Sequence, residues 1–356
     1  MKFSILFFSS AADEGDPYRL MIETAKFADR NGFSGVWTPE RHFGKFGGIF
    51  ANPAITSAAL ATVTEKIQLR AGSLISPLHD VIRIAEEWAM VDQLSGGRAG
   101  ISFGSGWNIN DFAFFPDRYA KRNEIMLEQI EALKEIWRAG KVVRKDAGGS
   151  DAELQVFPRP HQIEIPIWLT SSGSESTFAS AGRLGANILT HLIFQDIDAL
   201  QRKIRIYRKA RSESGHSPAD GVVSLMLHTF LGKNRDEVKA TVRPKLKEYL
   251  RSGVELELSA SRGGGAVSGN RTMAAEDISP EAMEELLDLT FERYFSHSSC
   301  MGTVENCYRI IRGFAEAGVD EIACLIDFGI PLEKTMESLA ELLALKRKLG
   351  EDYGEY

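Results

Sequence analysis

Short, densely apolar runs recur along this chain, separated by longer windows in which apolar residues return every three or four positions. The runs KFSILFF, SGVWTP, IQLRAGSLI, AGISFGS, PIWLTS, ANILTHL, VVSLMLHTFL and EIACLI have the composition of strands. Runs this continuous suit parallel strands, whose two faces are both covered by connecting helices. The windows PYRLMIETAKFADRNG and VENCYRIIRGFAEAG have helical spacing and stop at Gly32 and Gly318, where glycine suits a helix cap. About eight βα units close a cylinder, so the pattern predicts an α/β fold of the (β/α)8 TIM-barrel type, one domain over residues 1–356.

Two stretches exceed what a minimal barrel needs. Residues 140–162 (GKVVRKDAGGSDAELQVFPRPHQ) precede the fifth strand and read as a hairpin insertion. Residues 254–280, which contain RGGGAVSGNR, lie between the seventh and eighth strands. Their glycine content reads as a loop of the kind that serves as a lid or stays disordered.

A parallel barrel gathers its active residues at the carboxyl ends of its strands. That rule gives each unusual polar residue an address. Glu40, Arg41 and His42 follow strand two, and Gly72 and Ser73 end strand three. Ser105 to Asp111 follow strand four, Ser171 to Thr177 follow strand five, Thr190 and His191 end strand six, and His228 lies in strand seven. One rim, and therefore one pocket, collects them.

In TSSGSESTFASAGRLG a strand turns into a helix, and Ser172, Gly173, Ser174 and Thr177 offer N–H and hydroxyl donors suited to a phosphate at a helix amino end. An ordinary Ser cap explains the same letters. In SFGSGWNINDF the small residues, Ser105 among them, let a flat ligand approach the backbone, with Trp107 as a wall and the Asn108 amide as a hydrogen-bonding group; an Asn/Asp turn fits equally. His42 can move a proton near neutral pH, with Glu40 favouring its imidazolium and Arg41 opposing it, and the alternative is a surface ion cluster. His228 reads either as functional or as a satisfied core residue, whereas His79, His161, His216 and His297 read as structural.

Composition narrows the choice. With 44% hydrophobic and 26% charged residues the chain can bury a core, and a formal charge of −7 argues against a nucleic-acid partner. No apolar run approaches the roughly 18 residues of a membrane span and FSILFF is too short for a signal-peptide core, so a soluble, cytoplasmic protein without a membrane partner is expected. Cys300, Cys307 and Cys324 lack zinc-ligand spacing and read as reduced thiols, with no metal site expected. There is no GxSxG, no HExxH and no GxGxxG after the first strand, which argues against a hydrolase and against a dinucleotide fold. What remains suits a flat, phosphorylated cofactor.

The segments ERHF, Asn52-Pro53, SPLHD, EEWAMVDQLSGGR, SGWNINDF, SGSEST, GANILTHL and MGTVENC together resemble the bacterial luciferase-like flavin monooxygenases over nearly the whole chain. The forms ERHF, SGWN and LTHL look closest to the branch found in natural-product biosynthesis. The resemblance implies a (β/α)8 barrel that takes reduced FMN from a separate flavin reductase, with F420 as the alternative cofactor. It implies a flavin C4a-(hydro)peroxide that oxygenates a small-molecule or carrier-protein-bound acyl substrate, and a homodimer. It places a cis peptide at Gly72-Ser73 beneath the flavin ring, the phosphate at Gly173, Ser174 and Thr177, and Thr190 and His191 beside the flavin. His228 matches a strand-seven histidine implicated in relatives, and segment 254–280 matches a lid. One departure stands out: luciferase has EHHF, with its catalytic histidine where Arg41 stands here, so His42, Arg41 and His228 become the candidate catalytic set and aldehyde chemistry is not expected to carry over. Ser102 stands where luciferase has a reactive thiol. A non-catalytic flavin-binding relative is the other alternative.

Overall fold

The computed structural model describes residues 1–8, 16–44, 47–193, 195–262 and 279–353. The first half runs β1 (Lys2–Leu6), α1 (Arg19–Arg30), β2 (Gly35–Thr38), α2 (Pro53–Ala61), β3 (Gln68–Ile75), α3 (Val81–Ser95), β4 (Ala99–Gly104) and α4 (Arg122–Ala139). An antiparallel hairpin of β5 (Lys141–Lys145) and β6 (Asp151–Gln155) follows, inside the stretch that the sequence marks as an insertion. The second half continues β7 (Ile167–Ser171), α5 (Glu175–Arg183), β8 (Asn187–His191), α6 (Ile197–Glu213) and β9 (Val223–Leu231). It ends α7 (Arg235–Arg262), α8 (Pro280–His297), β10 (Cys300–Gly302), α9 (Val304–Glu316), β11 (Glu321–Leu325) and α10 (Leu332–Tyr353).

Parallel pairing runs β1-β2-β3-β4-β7-β8-β9-β11 and closes because β11 also pairs with β1. This is the (β/α)8 barrel that the apolar runs predict, each run supplying one strand. All nine residues of β9 are buried, as a strand covered on both faces requires. Helix entries follow local chemistry: Asn52 Oδ1 accepts from Ala54 N at 2.8 Å ahead of Pro53, and Asp80 Oδ1 accepts from Ile82 N at 2.8 Å.

The amino-terminal end of the barrel interior is plugged by a buried ion pair, Arg70 Nη1 lying 2.9 Å from both carboxylate oxygens of Glu321. Ser224 Oγ donates to Glu321 at 2.5 Å, and Ser34 Oγ also donates to it. Burial alone would push the Glu321 carboxyl up, but Arg70 and these hydroxyls hold it below its ordinary value. The Arg70 guanidinium lies 4.6 Å from the Trp37 ring centre and 4.7 Å from that of Trp168. Gly35 makes room for it, since a Cβ there would stand 2.8 Å from the Arg70 Cζ. A filled floor leaves the opposite rim as the place for a ligand.

Between β9 and β11 the chain departs from the expected loop. Residues 254–262 continue α7, because VELELSASR supplies helix formers up to the first glycine of the run. Residues 263–278 of the expected lid lie outside the described residues. The three-residue β10, which pairs with the end of β9 at Thr229–Leu231, is too short to show as a periodic signal.

Candidate active site

The carboxyl end of β2 delivers Glu40, whose side chain organises this part of the rim. Glu40 is 3% exposed, so its charge is stable only if paired. Its Oε1 lies 2.9 Å from His42 Nε2 and 2.7 Å from His79 Nε2, and its Oε2 accepts from Ile75 N at 2.7 Å. Burial works to raise its carboxyl, yet the two imidazoles and the Ile75 N–H outweigh that and hold it below 4.5. For His79, burial works downward, but Glu40 raises it above its ordinary 6.5. The His79 backbone is itself fixed, its carbonyl accepting from Arg118 Nη1 and from Gln129 Nε2, each at 2.9 Å. His79, which the sequence reads as structural, thus shares one carboxylate with the candidate His42.

With Nε2 turned to Glu40, His42 Nδ1 meets no hydrogen-bond partner among the described residues. Its ring stands edge-on to Phe114, centroids 5.0 Å apart, and Phe43 packs beside both. An apolar cleft of about 480 Å3 lined by Phe43, Ile109, Phe112, Ala113, Pro116 and Tyr119 opens on that side.

Arg41 turns the other way. Its Cζ lies 4.0 Å over the Phe8 ring, and its backbone N–H donates to Phe50 O at 2.8 Å. Its Nε is buried without a hydrogen-bond partner among the described residues, and burial lowers the guanidinium pKa against the pull of Tyr249, Asp111 and Asp327. Asp111, held by Asn108 Nδ2 at 2.9 Å, is pushed up to about 6, chiefly by burial, with His42 and Arg41 opposing.

His228 lies on β9 as expected, and its Nε2 is buried without a hydrogen-bond partner among the described residues, so it is not the satisfied core histidine of the bland reading. Burial, with His191 adding to it, pushes His228 down to about 3, and burial pushes His191 down to about 4; both rings are neutral at physiological pH. They line one narrow cleft of about 30 Å3 with Phe8, Met226, Tyr249 and Leu325, room for no more than a water or two. The Tyr249 ring stands edge-on to His228 at 4.6 Å.

Across the rim, the Gly72-Ser73 peptide is cis, as the resemblance implies. The Ser73 and Ser102 hydroxyls both meet Thr170 Oγ1, at 2.5 and 2.7 Å. Thr170 therefore orients Ser73, a role not seen in the sequence. A Cβ on Gly72 would sit 2.8 Å from Trp37 Cβ, so only glycine leaves that wall intact.

Ser174 caps α5, its Oγ accepting from Thr177 N at 3.4 Å and meeting Ser176 Oγ at 2.8 Å. Gly173 has φ +116°, open to glycine but strained for other residues, and a Cβ there would stand 3.1 Å from Lys203 Nζ. Lys203 Nζ donates to Gln195 Oε1 at 2.9 Å, and Gln195 Nε2 donates to Thr190 Oγ1 at 3.1 Å and to His191 O at 2.7 Å. Thr190 Oγ1 in turn donates to Ser171 O at 2.8 Å. A helix amino end, small residues and a facing ammonium form a cradle whose donors fit a phosphate. The sequence missed Lys203 and Gln195, because Lys203 looks like a solvated charge on α6 and Gln195 like a polar residue of the loop ahead of that helix. Ser172 lies at the turn between β7 and α5. Trp107 and Ser105 are half-buried on the loop after β4, whereas the Asn108 amide is spent on its own turn, accepting from Asn110 N at 3.1 Å as well as binding Asp111.

Comparison with known proteins bears on the fold and the family. The oxygenase component of a flavin-dependent trigonelline monooxygenase from Acinetobacter baylyi is 24% identical over 335 residues, covering 92% of this chain and 88% of that protein. The solved structure of monooxygenase RslO1 from Streptomyces bottropensis shares the fold with a TM-score of 0.76 at 20% identity, covering 97% and 98% of the two chains. So does the oxygenating constituent of 3,6-diketocamphane monooxygenase from Pseudomonas putida, solved with FMN, at a TM-score of 0.70, 18% identity and 97% and 96% coverage. An F420-dependent secondary alcohol dehydrogenase is similar too, with a TM-score of 0.71, 16% identity and 97% and 98% coverage. The sequence model of the luciferase-like monooxygenases matches residues 1–321, and the chain belongs to that family of oxidoreductases.

Proposed function

We propose that this protein is a monooxygenase that uses reduced FMN and O2 to oxygenate a small-molecule or carrier-bound acyl substrate, as a homodimer supplied by a separate flavin reductase. The observation that carries the reading is the cradle at the amino end of α5, where Ser174 caps the helix through Thr177 N and Lys203 Nζ stands beside Gly173, on the same rim as Gly72, Ser73 and His191. The similarity to an oxygenase component supports the reductase, and the ERHF, SGWN and LTHL forms support a role in natural-product biosynthesis.

The bound flavin would supply the electrons that activate oxygen. The residues of the chain do the rest. Gly173, Ser174, Thr177 and Lys203 would hold the phosphate, and Thr190 and His191 would border the ring system. His42, pinned by Glu40 through Nε2, can hold or pass a proton at Nδ1. His228 is a neutral hydrogen-bonding group on the substrate side, and the aromatic walls around it exclude water.

An F420-dependent hydride transfer is the second reading, favoured by the fold shared with an F420-dependent dehydrogenase. Mixing the anaerobic protein and FMNH2 with oxygenated buffer separates the two. The proposal expects the protein to alter the course of FMNH2 reoxidation and to leave reduced F420 untouched under nitrogen. Reoxidation identical to that in buffer, or anaerobic turnover with reduced F420, would reject it.

A further inference from the structure

Among the described residues, the carboxylates around Arg41 are already engaged. Glu40 takes donors from His42, His79 and Ile75, and Asp111 takes one from Asn108. Both oxygens of Asp327 accept from Phe8 N, at 3.0 and 2.8 Å. None of the described residues offers the buried Arg41 Nε an acceptor oxygen, and leaving a buried donor idle is costly. Its stem is nonetheless fixed: a Cβ on Gly47 would come within 2.6 Å of Arg41 Cγ, its backbone is tied to Phe50, and the Phe8 ring covers one face of the guanidinium. The side chain also keeps part of its surface open. A held, partly open guanidinium whose Nε has no partner among the described residues is organised for a ligand that brings its own oxygens.

The neighbours say which. With Asp111 and Asp327 close by, a doubly charged phosphate would meet repulsion, whereas a single negative charge is balanced by one guanidinium. A carboxylate also matches the guanidinium fork with two parallel hydrogen bonds. The surrounding walls are aromatic: Phe8 and Tyr249 have centroids 6.4 Å apart, and Tyr249 leads on to His228, whose Nε2 has no hydrogen-bond partner among the described residues.

We infer that Arg41 anchors the substrate, which is a monoanionic carboxylate carrying a flat or apolar body that lies against Phe8 and Tyr249 within reach of His228. The placement as a substrate subsite rests on the oxygenase reading above; the anion preference does not.

Calorimetric titration of the flavin-free full chain with benzoate, and with the neutral isostere benzamide, tests it. The wild type should bind benzoate at least about 10-fold more tightly than benzamide, Arg41→Met should lose that preference, and Arg41→Lys should keep part of it. A thermal melt of each variant verifies folding, and the lysine variant carries the test if the methionine variant does not fold. Equal binding of the two probes, no binding of benzoate, or a preference that survives in Arg41→Met would overturn the inference. FMN is titrated in parallel: FMN binding without benzoate binding refutes the anion subsite and leaves the cofactor reading standing, and the reverse refutes the cofactor reading alone.

Discussion

Replacing Glu40 with Gln removes one charge and almost no volume from the point where β2 meets the rim. The native carboxylate accepts from His42, His79 and Ile75 N, three donors on two oxygens, all at 2.9 Å or less. A Gln amide presents one carbonyl oxygen and turns N–H groups toward whatever stood at the second. Removing one partner from a buried charged cluster costs about 3–5 kcal/mol. The size depends on pH, and the sign follows from the two shifts. Glu40 lies below 4.5 in the folded chain, so its contribution is present above 4.5 and lost as pH falls through the folded value. His79 lies above 6.5, so its contribution is complete below 6.5 and lost as pH rises through the folded value. Glu87 and Arg118 also act on His79, in opposite senses, and the substitution leaves both in place. The stability gap between wild type and Glu40→Gln, read by urea unfolding, should therefore be widest near about pH 6 and narrow as pH rises through the raised folded value of His79. A gap independent of pH, or below about 1 kcal/mol throughout, would refute the charged Glu40–His79 pair.

Gly72→Ala drives a methyl to 2.8 Å from Trp37 Cβ and should destabilise by about 1–3 kcal/mol in the same assay; an unchanged midpoint would show that the wall yields. Lys203→Gln should weaken FMN several-fold and flatten the salt dependence of FMN binding, while riboflavin, lacking the phosphate, is unaffected. Because His228 is pushed down to about 3, its ring signals in labelled protein should not titrate between about pH 5 and about pH 9, and a midpoint in that range would contradict its burial. Glu321→Gln leaves Arg70 buried without a countercharge and should cost about 3–5 kcal/mol; a smaller loss than for an exposed pair would mean water reaches the barrel floor.

The strands were legible because each is a continuous apolar run, and a parallel barrel needs no more than that pattern plus capping residues to fix its order. The strand-end rule then carried Glu40, His42, Ser73, Ser174 and His191 to one rim, since side-chain address in this fold depends on position along a strand. Partners across long sequence separations were not legible. His79 sits in a short turn 39 residues from Glu40, and nothing in SPLHD says which way its ring points. Lys203 looks like any charge on the polar face of α6, and only the packing of α5 on α6 brings it to Gly173. Thr170 is hidden for the opposite reason: inside a buried strand a threonine reads as core, and its hydroxyl matters only because Ser73 and Ser102 meet it. The end of α7 was misread because the glycine run that follows dominated the composition of the whole segment.

The measurement that bears most directly on the account is anaerobic equilibrium binding of FMNH2 and of reduced riboflavin to the wild-type protein. A phosphate held at the amino end of α5 against Lys203 predicts that FMNH2 binds at least about 10-fold more tightly, and that added inorganic phosphate erodes the difference. Equal affinity for the two flavins, or no binding of either, would contradict it.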